Sequence, residues 1–246
     1  MAKYRMTCDW HTHTTFSHGK GRVEDNVRAA ATKGLETLGI ADHGPGHVLY
    51  GVKRNELTAM REEIRRLDGA CSGVRVLMGV EANIVNRSGK LDIEGEDFAR
   101  FDFVLAGYHY GALGEEPARA LGAMAANYLS GRLGRAGAKR RRENTEMVIK
   151  ALYENDVFML THPGDKAPVD IRAVAEACER TGTLFEINAW HALDEDGLRA
   201  AAATGTRFAI SSDAHTPDRV GDFEAALAAA LRAGIDVARI VNIEEI

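Results

Sequence analysis

Seven of the nine histidines in this chain stand at the ends of short apolar runs. They are His11 and His13 in DWHTH, His18 in FSHG, His43 in IADHG, His109 in AGYH, His162 in LTHPG and His215 in SSDAH. Two carboxylates hold equivalent places, Glu81 in MGVEAN and Asp213 in SSDAH. An imidazole just past a strand is rarely needed for packing. Its recurrence after strand upon strand requires a fold in which many strands end at one point. The residue types make that point a multinuclear metal site.

Between these positions, apolar runs and amphipathic segments take turns. The runs predict strands over 4–10, 37–41, 74–80, 103–107, 157–161, 184–188 and 207–212, with 239–243 as an eighth strand or a closing segment. Helical spacing links Val27, Ala30, Ala31 and Gly34, then Leu57, Met60, Ile64 and Leu67. It returns in Ile171, Val174, Ala175 and Cys178, with Asp170 as N-cap and Gly182 past the end. Phe223, Ala226, Leu227, Ala230 and Leu231 repeat it, between Asp222 and Gly234. Strict alternation calls for a parallel sheet with crossover helices.

An open doubly wound sheet would need a glycine-rich fingerprint in its first strand-to-helix turn. That turn holds His11, His13 and His18, and Gly19-Lys20-Gly21 matches neither nucleotide-binding pattern. In a closed barrel all strand C-termini meet at one mouth. The ligands come from six of the seven strands, so closure is what gathers them. The sequence therefore predicts an α/β fold, a distorted seven-stranded barrel forming one domain over 1–246. The stretch 110–139 breaks the alternation, with a helix expected around 117–130, and reads as a surface insertion or as a partial lid.

At 246 residues the chain suits a single barrel. The net charge of −5 argues against a nucleic-acid partner. Cys8, Cys71 and Cys178 are odd in number and lie in apolar contexts, as reduced thiols of a cytoplasmic protein do. No run has the length of a membrane span or of a signal sequence, so no membrane association is expected. The oligomeric state is not legible.

Period-two alternation turns His11 and His13 to one side of the first strand, with Asp9 one step deeper as a partner that orients an imidazole. Cys8 has the opposite parity and should face the helices. Imidazole with carboxylate suits zinc, manganese or iron, and the absence of cysteine ligands argues against a structural zinc knuckle.

The ordered set DWHTHT, FSHG, IADHG, GVEAN, GYH, LTHPG and SSDAH resembles the PHP (polymerase and histidinol phosphatase) family, in particular its small stand-alone phosphatase-like members. That resemblance implies a distorted (β/α)7 barrel and three divalent ions. It implies that His11, His13, Glu81 and Asp213 hold the first, and His18, His43 and His215 the second. Glu81 would bridge to a third ion, held also by His109 and His162. The implied activity is phosphatase action on a small phosphomonoester, histidinol-phosphate-like or nucleotide-like. Closely spaced dications neutralise phosphoryl oxygens and lower the pKa of a bound water, whose hydroxide attacks phosphorus. No side-chain nucleophile is needed. Asp213 is a ligand first, with a part in proton transfer as a second role.

Other positions carry two readings. Asn188, ending the sixth strand, is placed to touch substrate or the metal shell; His47 and His191 contact substrate or are solvated loop histidines; Trp190 does the same as Asn188 or packs against the next loop. Arg140, Arg141 and Arg142 end a run of six cations from Arg132, which reads as a solvated helix start or as a phosphate clamp over the mouth. Two other enzyme classes remain open. One is an amidohydrolase-type C–N hydrolase, disfavoured because no lysine ends a central strand; the other is a nuclease acting on nucleic-acid ends.

Overall fold

The computed structural model of the chain describes residues 3–70, 73–113, 117–130 and 135–246. The first apolar run divides at Thr7, giving β1 (Tyr4–Met6) and β2 (Cys8–Thr12). The strands β3 (Thr37–Ile40), β4 (Arg75–Asn83), β5 (Phe103–Gly107), β6 (Met159–Leu160), β7 (Leu184–Asn188) and β8 (Phe208–Ser211) follow β2 in a seven-stranded sheet whose spatial order is the chain order. Every neighbouring pair is parallel. The crossovers carry α1 (Val23–Thr32), α2 (Leu57–Leu67), α3 (Pro117–Ser130), α4 (Arg135–Glu154), α5 (Ile171–Thr181) and α6 (Glu195–Ala202), and α7 (Glu224–Arg232) follows β8.

The helices form where the apolar spacing places them. Leu57, Met60, Ile64 and Leu67 are the buried stripe of α2. Asp170 accepts a hydrogen bond from the Ala173 N–H to cap α5, and Gly182 closes it in the left-handed region at φ 76°. The helix α6, capped by Asp194, is an addition to the expected set. At α7 the N-cap is Phe223, one residue after the expected Asp222, and it makes no side-chain cap bond.

A small apolar cluster of Ala41, Leu105, Met159, Leu184 and Ala209 is separate from the larger core under the helices, and Trp10, Phe103 and Phe158 pack against it. The Phe103 ring lies against Gly39 and Gly79, where any Cβ would come within 2.7 and 2.3 Å of it.

The sheet becomes a barrel at the seam between β2 and β8. Backbone there contributes a single parallel bridge, Thr12 with Ala214, and the His13 N–H donating to the Ala214 carbonyl at 2.8 Å. Buried side chains do the rest. Asn242 donates to the carbonyls of Cys8 (2.6 Å) and Ile210 (2.7 Å) and accepts from the Ile210 N–H. Asp9 accepts from the Ser212 hydroxyl and N–H and from the Gly221 N–H.

Of its two readings the run at 239–243 is the closing segment: Ile240 makes a parallel bridge to Phe208, and the Val241 N–H donates to the Phe208 carbonyl at 2.9 Å. Beyond it, β9 (Ile243–Glu245) pairs antiparallel with β1 in a two-stranded sheet. Two expectations are corrected. Cys8 is half-buried rather than sequestered. Asp9 accepts from the His11 backbone and across the seam, not from an imidazole. In the 110–139 stretch the helix expected around 117–130 is α3, while 114–116 and 131–134 lie outside the described residues, as do Arg132 and Cys71.

Candidate metal centre

At the C-terminal ends of the strands, buried imidazoles and carboxylates converge. His11 stands near the end of β2 and His13 just past it, β4 carries Glu81, and the turn after β8 carries Asp213. His11 Nε2 lies 3.1 Å from His13 Nε2, 3.3 Å from Glu81 Oε1 and 3.6 Å from Asp213 Oδ1. His13 Nε2 lies 3.2 Å from Asp213 Oδ1 and 3.7 Å from Glu81 Oε2. A four-coordinate ion with ligand bonds of about 2.0–2.1 Å has ligand–ligand edges of about 3.3 Å. These donors therefore already outline such a polyhedron.

A second compact set shares Glu81. Its Oε1 is 2.9 Å from His162 Nε2 and 3.2 Å from His109 Nε2, and the two imidazole nitrogens are 3.1 Å apart. The other oxygen, Oε2, is 2.9 Å from His43 Nδ1, yet neither atom is aligned for a hydrogen bond and both are buried without a partner. Close, unaligned donors are what a cation between them leaves. Around His43 stand His13, His18 and His215, with ring centroids 4.5, 4.8 and 6.3 Å away, and nitrogens of His13, His43 and His215 fall within one ion's reach.

The orientation of each ring is set from behind. The Glu186 carboxylate, on β7, accepts a hydrogen bond from the His11 Nδ1–H at 2.7 Å, which turns Nε2 toward Glu81 as the ligand nitrogen. Asn83 Oδ1 does the same for His109 at 2.8 Å, and Asp92 in turn accepts from the Asn83 amide at 2.6 Å. His215 Nδ1 donates to the Asp213 carbonyl at 2.9 Å. Asp42 accepts from the Thr14 N–H and from the Thr14 and Ser17 hydroxyls, bracing the loop that carries His18. His162 and Asp213 are the non-glycine residues with positive φ, 27° and 51°, among those described. Backbone held in a sparsely populated region at two ligand positions shows the surroundings dictating where those side chains point.

The charge balance asks for a cation. Glu81, Asp213 and Glu186 are buried together, and among the described residues no lysine or arginine pairs with any of them. Burial alone would raise Glu81, but the imidazoles of His109, His11 and His43 hold it well below the usual carboxylate range. Burial opposes ionisation of Asp213 too, and His11 and His13 outweigh it. Burial pushes His109 down to about 4 and His18 to about 3, and it depresses His13 strongly, with His43 adding to the effect. His11 is the counterpoint: burial lowers it, but Asp213, Glu81 and Glu186 drive it well above the ordinary value. In the absence of metal, a proton on His11 balances part of this buried negative charge. Neutral imidazoles beside ionised carboxylates are the protonation state that divalent-metal binding requires.

The other predicted positions divide. Asn188 is buried and donates to Glu186 Oε2 and Asp213 Oδ2, while its Oδ1 accepts from the N–H groups of Trp190 and His191. His191 reaches the edge of the cluster, Nε2 at 3.9 Å from Asp213 Oδ2 and Nδ1 at 3.2 Å from Asp165. Arg140, Arg141 and Arg142 lie on α4, where their partners are Glu143, the Val169 carbonyl and Glu146, none of them in the cluster. Glu186, Asn83, Asp92 and Asp42 are the functional residues that sequence reasoning missed. For Glu186 the signal is a lone carboxylate inside the apolar run LFEIN.

A seven-stranded α/β barrel with a buried histidine–carboxylate cluster at its mouth defines a metal-dependent hydrolase. A family model for the PHP domain matches residues 9–189, and the chain belongs to that family. A protein named probable phosphatase YcdX, from Escherichia fergusonii, is 31% identical over 96% of this chain and 89% of its own length. Among solved structures, a candidate histidinol phosphatase from Listeria monocytogenes superposes with a TM-score of 0.65 at 14% identity, over 89% of this chain and 98% of that one. The histidinol phosphate phosphatase of Lactococcus lactis, complexed with zinc, L-histidinol and phosphate, gives 0.53 at 14% identity, over 94% and 95%. Within the described residues no helix is long and apolar enough to cross a membrane.

Proposed function

We propose that the protein is a cytoplasmic metal-dependent phosphatase that hydrolyses a small phosphomonoester. The observation that carries this reading is the shared Glu81. Its two oxygens touch five imidazoles, of His11, His109 and His162 on one side and of His13 and His43 on the other. A carboxylate so placed would bridge adjacent cations, and we assign three: one that His11, His13 and Asp213 would hold, one for His18, His43 and His215, and one for His109 and His162. Zinc, manganese and iron all suit the donor set, and the zinc in the Lactococcus lactis structure supports the first. Divalent ions so held would neutralise phosphoryl oxygens and make water nucleophilic near neutral pH.

The chain's own residues supply orientation and proton placement. Glu186 and Asn83 keep protons on His11 Nδ1 and His109 Nδ1, so the opposite nitrogens stay free as ligands. Asp213 is held by His13 and Asn188 and serves as a ligand first. His191, steadied by Asp165, stands at the rim and is the imidazole placed to give a proton to a leaving oxygen. The stretch at 110–139 remains a proposed partial lid, with the rest of 1–246 a single catalytic domain.

The test is hydrolysis of 4-nitrophenyl phosphate by purified protein, abolished by a chelator and restored by zinc, manganese or iron added singly. Turnover of amides with no phosphate ester cleaved would replace this reading with a C–N hydrolase.

A further inference from the structure

The three arginines that end the basic run part company on α4. Arg142 is exposed and pairs with Glu146, and Arg141 donates to the Val169 carbonyl at 3.0 Å. Arg140 turns inward, its side chain 18% exposed, and lies 3.3 Å from Glu143 Oε2. The same oxygen accepts from Arg87, in the turn after β4, at 2.8 Å. Two guanidiniums thus share one carboxylate. Among the described residues no second acidic group pairs with either, so one positive charge is left over.

Both arginines border a cavity of about 550 Å³, inside the range of about 300–1,000 Å³ common to small-molecule sites. One side of it is Ile84 and Tyr108, just past β4 and β5, and the other is Ala123 and Met124 of α3 with Met147 of α4. The helix α3 is held over this space at two points. The Gly111 N–H donates to Met124 Sδ at 3.3 Å, and the Asn144 amide of α4 donates to Asn127 at 3.0 Å. Among the described residues no candidate metal ligand lines the cavity, so it is separate from the cluster.

The lining selects a ligand. Methionine is unbranched and adaptable, and two methionines beside small alanines mould to a flexible aliphatic chain. A guanidinium mostly out of water holds an anion more firmly than an exposed one. The surplus charge is one, which a carboxylate balances and a phosphate dianion overshoots. We propose that this cavity binds a small aliphatic carboxylate, with its head on Arg140 and Arg87 and its chain between α3 and the barrel. The site owes nothing to the phosphatase reading and stands whichever bond the metal centre cleaves. Its place gives it a bearing on that centre all the same. Ile84 and Tyr108 are the chain neighbours of Asn83 and His109, which are hydrogen-bonded at 2.8 Å, so an occupant rests on the backbone that positions one end of the cluster.

The experiment is calorimetric titration of zinc-loaded protein with octanoate, kept below its micelle range. Octanoate should bind at one equivalent and at least about tenfold more tightly than 1-octanol, which lacks the charge, or acetate, which lacks the chain. Arg140→Gln should lower octanoate affinity about tenfold and leave that of octanol unchanged. Ala123→Phe, which fills the cavity, should abolish binding of both. Arg142→Gln, at a side chain 71% exposed, should change neither. If Ala123→Phe does not fold, Arg140→Gln decides alone, since Glu143 keeps Arg87 as its partner. Octanoate affinity unmoved by Arg140→Gln would put the carboxylate on the zinc and overturn the site. Octanoate bound no better than octanol, or not at all, overturns it equally.

Discussion

Glu81 and Glu186 are both buried carboxylates, yet they do different work. Glu81 faces imidazole nitrogens on both of its oxygens, whereas Glu186 holds the far side of one ring and the His162 N–H. Glu81→Gln keeps the size and removes the charge between the two cation positions proposed to share it. Bound metal should fall by about two equivalents and turnover should vanish, against about one equivalent for His18→Ala, measured by elemental analysis on folded protein at matched free metal. Equal losses would show that Glu81 is not the bridge. Glu186→Gln leaves every donor in place and should weaken metal affinity about 10- to 100-fold, as read by chelator competition. For His191→Ala the expectation is a fall in kcat of about 100-fold with an alkyl phosphate and a much smaller one with 4-nitrophenyl phosphate, whose leaving group needs no proton. Equal losses on both would assign His191 to binding. The donor residues were legible in sequence because each ends an apolar run, and a strand end in a barrel has one place to point. Their supports were not. Asp42 and Asp92 act from loops whose path depends on tertiary packing, and Asp9 was assigned by strand parity, which a register shift between Asp9 and Thr12 disturbs.

Among the elements, β2 and β8 are joined differently from every other pair. Six strand pairs share ladders, while this seam relies on one bridge and on Asn242 and Asp9. Asn242 is fully buried, and its removal strands two carbonyls and an N–H. Asn242→Ala should therefore cost about 3 kcal/mol in urea denaturation, and a loss under about 1 kcal/mol would mean that the seam closes without it. The strands and most helices could be read from periodicity. Thr7 ended the first strand early because its N–H is taken by the Asn242 carbonyl, from a segment 235 residues away that no local pattern announces. The edge sheet of β1 and β9 escaped notice for the same reason.

For the whole molecule, the imidazole cluster ties stability to pH. His109 titrates near 4 when folded, below its ordinary 6.5, and burial is the main cause. Between those values the unfolded chain binds the extra proton, so this contribution to stability is present above pH 6.5 and is lost as pH falls toward 4. His18 acts in the same direction, while His11 and His162, which are raised, act against it. Metal-free His109→Gln should accordingly lose less of its Tm between pH 7 and 5 than the metal-free parent, by roughly a few degrees for a chain of this size. An equal or larger loss in the variant would place the pH response elsewhere.

The seam also sets an order of events during synthesis. His13 and Asp213 are neighbours in the cluster and 200 residues apart along the chain. A ribosome adding about 5–20 residues per second releases His11 and His13 at least about ten seconds before their carboxylate partner. Through that interval the emerging polypeptide displays the donors of β2 to β6 without Asp213 and His215. Of the three proposed cation positions only the one with Glu81, His109 and His162 has its donors by then, so the other two could load only late, and a chain cut short before β8 would leave the ribosome able to keep at most that one ion.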